Sequence, residues 1–78
     1  MTPVSVSCVA LNSTLIATVG YDADSTLLHL NFHDGSRYRY FGVPVEVYEG
    51  LLAAESKGAY FNRRIRGSFQ HALLRRSG

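Results

Sequence analysis

The residues with the clearest capacity for chemistry are the basic side chains of the C-terminal part of the chain. Of the eight basic residues, six fall within residues 57–78, which contain no acid, and seven of the eight are arginine. Residues 1–56 contain all six acids and two arginines, so the two parts carry formal charges of −4 and +6, which add to the net +2. Arginine holds phosphate in a bidentate fork and stacks on bases. The asymmetry indicates an anionic partner, and a solvated basic surface stays open as the alternative.

A predicted short helix over residues 59–66 brings part of this charge together. Phe61 and Ile65 are four residues apart and should face the core. Arg63 and Arg66 are three residues apart and should face away from it. Each phosphate that such a cluster neutralises adds affinity that does not depend on nucleic-acid sequence. The candidate nucleic-acid contacts of this segment are Lys57, Asn62, Arg63, Arg64 and Arg66.

A second candidate is the alternating stretch Tyr38-Arg39-Tyr40, which follows Arg37. Aromatic rings that alternate with a basic residue on a sheet resemble a platform on which bases stack. Such a platform needs tyrosine rings that are open to solvent. The alternative is that both tyrosines are half-buried core residues with a hydroxyl at the edge.

The register of the preceding hairpin distinguishes these alternatives. A two-residue loop would pair Leu30 with Arg39 and place arginines on the apolar face of the strand. A three-residue loop over residues 33–35, with Gly35 left-handed, pairs Leu30 with Tyr38 instead, and the apolar pattern favours it. The core face then carries Tyr38 and Tyr40, and the opposite face carries His29, Asn31, Arg37 and Arg39.

Side chains that could support catalysis or metal binding are few and scattered. His29 and His33 are four residues apart on or near a strand, a span of about 13 Å that is too long for both to bind one ion. Cys8 has no basic neighbour in the sequence that would activate its thiol. Nucleophile motifs and glycine-rich phosphate loops are absent from the sequence. We expect no enzymatic activity, no metal site and no cofactor.

The elements that position these residues begin with predicted strands. Alternating apolar residues predict strands over residues 15–21, 26–32 and 36–41. The first strand should bring four residues to one face: Leu15, Ala17, Val19 and Tyr21. Residues 1–10 are either an extra strand or an extension.

Helices should follow the strands. A helix should begin at Pro44 and end with Gly58 as its C-terminal cap. Its apolar half should include Val45 and its polar half Gly50. Residues 69–76 fit either a helix or a strand. The predicted fold is α+β: a small antiparallel meander of three or more strands, followed by one long and one shorter helix packed on one face. The predicted core includes Leu30, Phe32, Tyr38, Leu51, Leu52 and Phe61.

Taken in order, these motifs resemble the KTSC domain. The matching stretches are Ser13-Thr14, Val19-Gly20-Tyr21-Asp22, Tyr38-Arg39-Tyr40, Gly42-Val43-Pro44 and Tyr60-Phe61-Asn62 with Ile65-Arg66. The resemblance covers about residues 11–74 and leaves residues 75–78 as a basic tail. It implies a small module that occurs as a stand-alone bacterial protein and at the end of some lysyl-tRNA synthetases. The family carries no established activity, and its association with a synthetase suggests RNA binding.

Two functions remain open on the sequence. The first is a non-catalytic RNA-binding module that uses the basic C-terminal segment, with support from Arg37 and Arg39. The second is a protein-interaction or homodimeric module that uses a sheet edge. No small-molecule substrate is evident. The longest apolar run is four residues, so we expect no membrane association, and a single cysteine fits a reducing, cytoplasmic compartment.

Overall fold

The computed structural model describes residues 8–76, and within them five strands form one antiparallel sheet in chain order. The strands are β1 (Cys8–Ala10), β2 (Ile16–Asp22), β3 (Leu27–Phe32), β4 (Arg37–Tyr40) and β5 (His71–Arg75). Between β4 and β5 lie helix α1 (Val45–Ala53) and helix α2 (Lys57–Tyr60), and α2 runs directly into a π-helical segment (Phe61–Ile65). The predicted α+β meander is therefore confirmed. Residues 1–10 were open between an extra strand and an extension; residues 8–10 form strand β1, and residues 1–7 lie outside the described residues.

The hairpin between β3 and β4 has the predicted three-residue loop. Leu30 lies across from Tyr38, and the backbone N–H of Phe32 donates to the carbonyl of Ser36 at 2.9 Å. Gly35 has a φ of +93°, a conformation that a β-branched residue resists. This register places Tyr38 and Tyr40 on the side that faces the helices.

Strand β2 departs from the predicted alternation. Leu15, which was expected to share a face with Val19, is 37% exposed, whereas Ile16 and Val19 are both fully buried. The pairing shifts between Ile16 and Thr18, so that Ala17 is an extra residue on this strand. Such a β-bulge resets which side chains face the core. As a result Ile16 and Val19 both point inward, a spacing that simple alternation excludes.

Three helical residues, Val45, Gly50 and Gly58, have surroundings that differ from those predicted. Val45 is 41% exposed, although it was expected in the apolar half of α1. Gly50, expected on the polar half, lies against the ring of Tyr60, where an added Cβ would collide with the phenol. Gly58 lies inside α2 and caps nothing, because α1 already ends at Ala53. Pro44 is the cap that precedes the first helical residue of α1.

The junction between α1 and α2 is held by two polar side chains. The ammonium of Lys57 donates to the carbonyl of Ala54 at 2.7 Å, just beyond the end of α1. The hydroxyl of Ser56 accepts from the backbone N–H of Ala59 at 3.3 Å, which satisfies one N–H at the start of α2. Lys57 therefore interacts with the C-terminal end of α1, where a positive charge is favourable.

The core lies between the helices and one face of the sheet. Its fully or nearly fully buried apolar members are Ile16, Val19, Leu28, Leu30, Tyr40, Val43, Leu51, Phe61 and Ile65. Of the six predicted core residues, Leu30, Leu51 and Phe61 are buried. The other three, Phe32, Tyr38 and Leu52, are only partly buried and pack against the core cluster. The core therefore does not fully enclose Tyr38. None of the helices of residues 8–76 is long and apolar enough to cross a membrane.

Residues 69–76 were open between a helix and a strand, and residues 71–75 of them form strand β5. Strand β5 pairs with β4, with Leu73 across from Tyr38 and His71 across from Tyr40. A carbonyl just before the strand, that of Gln70, accepts from the N–H of Phe41 at 2.9 Å. The chain thus returns from the π-helical segment to the sheet and brings His71 beside the two tyrosines.

Candidate nucleic-acid interface

A cleft of about 450 Å³ opens between the π-helical segment and the end of the sheet formed by β4 and β5. Its aromatic side chains are Phe32, Tyr38, Tyr40, Phe61 and His71. Its remaining lining residues are Leu15, Asp34, Ser36, Asn62 and Arg66. We refer to this cleft as the aromatic groove. It combines flat ring surfaces with a cation and a side-chain amide in one concave surface.

The rings of the aromatic groove are ordered by the strand register. Tyr38 and Tyr40 are two residues apart on β4 and therefore lie on the same face, with ring centroids 6.3 Å apart and an interplanar angle of 26°. The ring of His71 lies 5.2 Å from that of Tyr40 and 5.7 Å from that of Tyr38. Phe61 meets Tyr40 edge-on at 5.8 Å. This arrangement leaves the half-buried Tyr38 and the exposed His71 available to a planar ligand.

Charges at the aromatic groove come from Arg66 and Asp34. Burial raises the pKa of Tyr40 and so does its neighbour Tyr38, whereas the positive charge of Arg66 lowers that pKa. Arg66 therefore lies close enough to the rings to act on them electrostatically. Hydrogen bonds from the hydroxyl and the backbone N–H of Ser36 lower the pKa of Asp34, with the hydroxyl at 2.6 Å and the N–H at 2.9 Å. Asp34 thus stays ionised as part of the turn.

The predicted basic segment is divided by the structure. Asn62 and Arg66 line the aromatic groove. Arg63 and Arg64 are exposed, as Arg63 was expected to be, but they do not line it. The ammonium of Lys57 is hydrogen-bonded at the end of α1. Of the five candidates in this segment, two share a site with the tyrosines.

Arg37 and Arg39 lie on the opposite face of the sheet, as predicted, together with His29 and Asn31. A second cavity of about 260 Å³ lies there, and its lining includes all four of these side chains. The helices pack against the other face, so Arg37 and Arg39 do not share a surface with Arg66. Arg37 and Arg39 were predicted to support the basic segment, and they do not lie beside it.

His71 is the groove residue that sequence reasoning missed. It lies in the segment for which a helix and a strand were both open, so its neighbours could not be assigned. The usable signal was the alternation of His71 and Leu73, which as a strand places both beside the tyrosine face of β4. Among the described residues, no group of three or more histidine, cysteine, aspartate or glutamate side chains could hold a metal ion.

Comparisons with known proteins agree on one family. The family model of the KTSC domain matches residues 12–69. An uncharacterized protein of Stutzerimonas stutzeri is 44% identical over 55 residues, which cover 70% of this chain and 78% of that protein. The lysine–tRNA ligase of a Nostoc species is 41% identical over 61 residues, which cover 78% of this chain but only 11% of the ligase. The crystal structure of a KTSC domain protein from Yersinia pestis matches with a TM-score of 0.85 at 30% identity, covering 91% of this chain and all of that one.

Proposed function

The chain belongs to the KTSC domain family, and we propose that it is a non-catalytic module that binds single-stranded RNA in the aromatic groove. The observation that carries this proposal is the presence of Tyr38, His71, Asn62 and Arg66 in one cleft. These side chains provide ring surfaces, an amide and a cation, which are the groups that contact bases and phosphates in single strands.

The chemistry of the groove favours a single strand over a duplex. Bases must be unstacked before their faces can lie against protein rings, and this occurs in loops and single strands. Each base that stacks on an aromatic side chain adds about 1–3 kcal/mol. The amide of Asn62 can both donate to and accept from a base edge, and Arg66 can bind a phosphate or stack on a base.

The family's occurrence supports RNA over DNA. A segment similar to this chain forms about a tenth of the lysine–tRNA ligases of Nostoc and Trichormus variabilis. The RNA named in those proteins is a tRNA, whose loops and end offer unpaired bases. A module that adds a single-stranded RNA contact would be useful there, and the same groove would serve in a free-standing domain.

The test is a titration with a labelled single-stranded RNA that carries no terminal phosphate, and binding is followed by fluorescence anisotropy. The informative variant is Arg66→Gln, and Arg63→Gln is its matched control, because both remove one exposed charge from the same turn and only Arg66 lines the groove. We expect roughly tenfold weaker binding for Arg66→Gln and an effect of at most about twofold for Arg63→Gln. Equal losses would indicate diffuse charge attraction, and absence of binding by the wild type would reject the proposal.

A second candidate function is association through the edge of β5. This strand lies at the edge of the described sheet, and Leu73 and Leu74 are 42% and 49% exposed there. An open edge with apolar side chains can add a strand from another chain. A concentration-dependent sedimentation coefficient in the absence of RNA, abolished by Leu74→Lys, would favour this function over the groove.

A further inference from the structure

The face of the sheet that the helices leave uncovered carries three arginines and a histidine on neighbouring strands. Arg37 on β4 lies directly across from Arg75 on β5, and Arg39 lies directly across from His29 on β3. We refer to these four residues as the open-face cluster. Arg37 and Arg75 are like charges directly opposite each other, an arrangement that destabilises a sheet, whereas the lowered pKa of His29 favours its neutral form beside Arg39. An anion that lies between the guanidinium groups would reduce this repulsion and stabilise the folded sheet.

The cavity on this face lacks an acidic lining residue among those that the structure describes. Cys8, Asn31, Tyr38 and Leu74 complete its walls around His29, Arg37 and Arg39. The carboxylate of Asp22 acts electrostatically on His29 and raises its pKa, against the larger lowering by burial and Arg39. That carboxylate is engaged in its own turn, where it accepts from the hydroxyl of Ser25 at 2.7 Å and from the N–H of Asp24 at 3.0 Å.

The hydrogen-bonding capacity of Arg39 is incompletely used. Its Nε is buried and has no hydrogen-bond partner among the described residues. A buried donor of a charged group without an acceptor is costly, and a guanidinium presents five N–H groups in a fork that matches the oxygens of phosphate. One N–H of the Asn31 amide donates to the hydroxyl of Thr18 at 2.6 Å, so its second N–H can add to the donors that the guanidinium groups offer a ligand.

We infer that the open-face cluster binds a phosphate group, held by Arg37 and Arg39 with Arg75 at its edge. Bidentate pairing of arginine with phosphate gives both geometric selectivity and strength. A cavity of about 260 Å³ accommodates a tetrahedral oxyanion. The phosphate belongs either to a free phosphate compound or to a nucleic-acid backbone. The site lies on the opposite face from the aromatic groove and does not require RNA to bind there.

The groups that face His29 allow its pKa to report whether an anion is bound at the open-face cluster. They are Arg39 from β4, Asp22 from β2 and Cys8 from β1, with Asn31 and Arg37 in the same cavity. Burial and the charge of Arg39 both lower the pKa of His29. An oxyanion beside Arg39 offsets that charge, so its binding should raise the pKa of His29. Sulfate does not titrate near neutral pH and is the suitable anion for this measurement.

The binding test uses inorganic phosphate, followed by NMR titration of the intact protein. The double variant Arg37→Gln with Arg39→Gln is compared with the control Arg63→Gln with Arg64→Gln, which removes the same charge from the exposed helical side. We expect at least tenfold weaker phosphate binding in the first variant and a change of at most about twofold in the control. Arg75 lies at the exposed end of β5, and Arg75→Gln should partly reduce the affinity for phosphate without changing a residue in the middle of the strand.

The same variants identify the source of the phosphate. If the double variant loses inorganic phosphate and keeps its affinity for unphosphorylated single-stranded RNA, the ligand is a free phosphate compound. If it loses affinity for both, the ligand is a backbone phosphate. The inference is overturned if the wild type does not bind phosphate, or if the control variant loses as much affinity as the double variant.

Discussion

Tyr38 and Tyr40 lie on the same face of one strand and yet have different environments. Tyr40 is 3% exposed and packs edge-on against Phe61. Tyr38 is only partly buried, and its ring meets that of Phe32 in an edge-to-face contact with centroids 5.5 Å apart. Tyr40 therefore stabilises the core, and Tyr38 can also present a ring surface to a ligand.

The stacking role of His71 can be separated from its packing role because its side chain is exposed. His71→Leu removes the planar ring but keeps an apolar side chain, and we expect binding of single-stranded RNA to weaken by roughly 5- to 150-fold, the equivalent of one stacked base. His71→Phe retains a ring and should bind within about threefold of the wild type. Anisotropy titrations of both variants check this. Equal losses would mean that the imidazole nitrogens, rather than the ring surface, provide the contact.

His29 makes stability depend on pH in a direction that the structure sets. Burial lowers the pKa of His29 in the folded protein, and the charge of Arg39 lowers it further. The unfolded chain therefore binds a proton at a higher pH than the folded chain does. The folded state loses stability as the pH falls through about 6.5 towards the lowered folded pKa, and regains it as the pH rises.

Thermal unfolding over about pH 5 to 8 tests this coupling. His29→Gln should show a shallower dependence of Tm on pH than the wild type. Arg39→Gln should also flatten it, because the positive charge that opposes protonation is gone. An unchanged dependence in both variants would show that other groups control acid sensitivity.

At the level of elements, the bulge in β2 decides which residues hold the core. Ile16 is fully buried and Leu15 is 37% exposed. Ile16→Ala should therefore cost about 2–5 kcal/mol of unfolding free energy, and Leu15→Ala less than about 1 kcal/mol. Urea denaturation at equilibrium measures both. The reverse order would mean that β2 keeps regular alternation and that the bulge is absent.

The contact between α1 and α2 explains a glycine inside a helix. A Cβ on Gly50 would collide with the phenol of Tyr60, whose hydroxyl donates to the carbonyl of Val47 at 3.0 Å. Gly50→Ala should destabilise the domain by about 1–3 kcal/mol through overpacking, although alanine is the better helix former. The double variant Gly50→Ala with Tyr60→Leu should recover part of this loss. A stabilising Gly50→Ala would contradict the close approach.

How much the sequence could predict depended on whether the deciding interaction was local. The register of the β3–β4 hairpin was predictable because a turn signal and an apolar pattern agreed over a few residues. The bulge at Ala17 was not, because an inserted residue leaves no compositional mark. Strand β5 was not predictable because only the distant edge of β4 makes it extended. Of the four side chains proposed to contact RNA, Tyr38, Asn62 and Arg66 were candidates from the sequence, and His71 was not.

At the scale of the whole molecule, the charge separation along the chain is not a separation in space. Strand β5 comes from the basic part of the sequence, and its pairing with β4 sets Arg75 across from Arg37 of the acidic part. The helical side presents Arg66 at the aromatic groove, and the opposite side presents the open-face cluster. The domain thus has two basic surfaces with different lining: one rich in aromatic rings, the other in guanidinium groups.

The central claim is that the aromatic groove binds single-stranded RNA, and chemical-shift mapping tests it most directly. An isotopically labelled domain would be titrated with an unphosphorylated single-stranded RNA, and backbone and side-chain resonances would be followed. The account predicts that the largest shifts fall on Tyr38, Asn62, Arg66 and His71, and that they saturate together. Shifts confined to Arg63 and Arg64, or to the exposed leucines of β5, would contradict it, as would the absence of any shift.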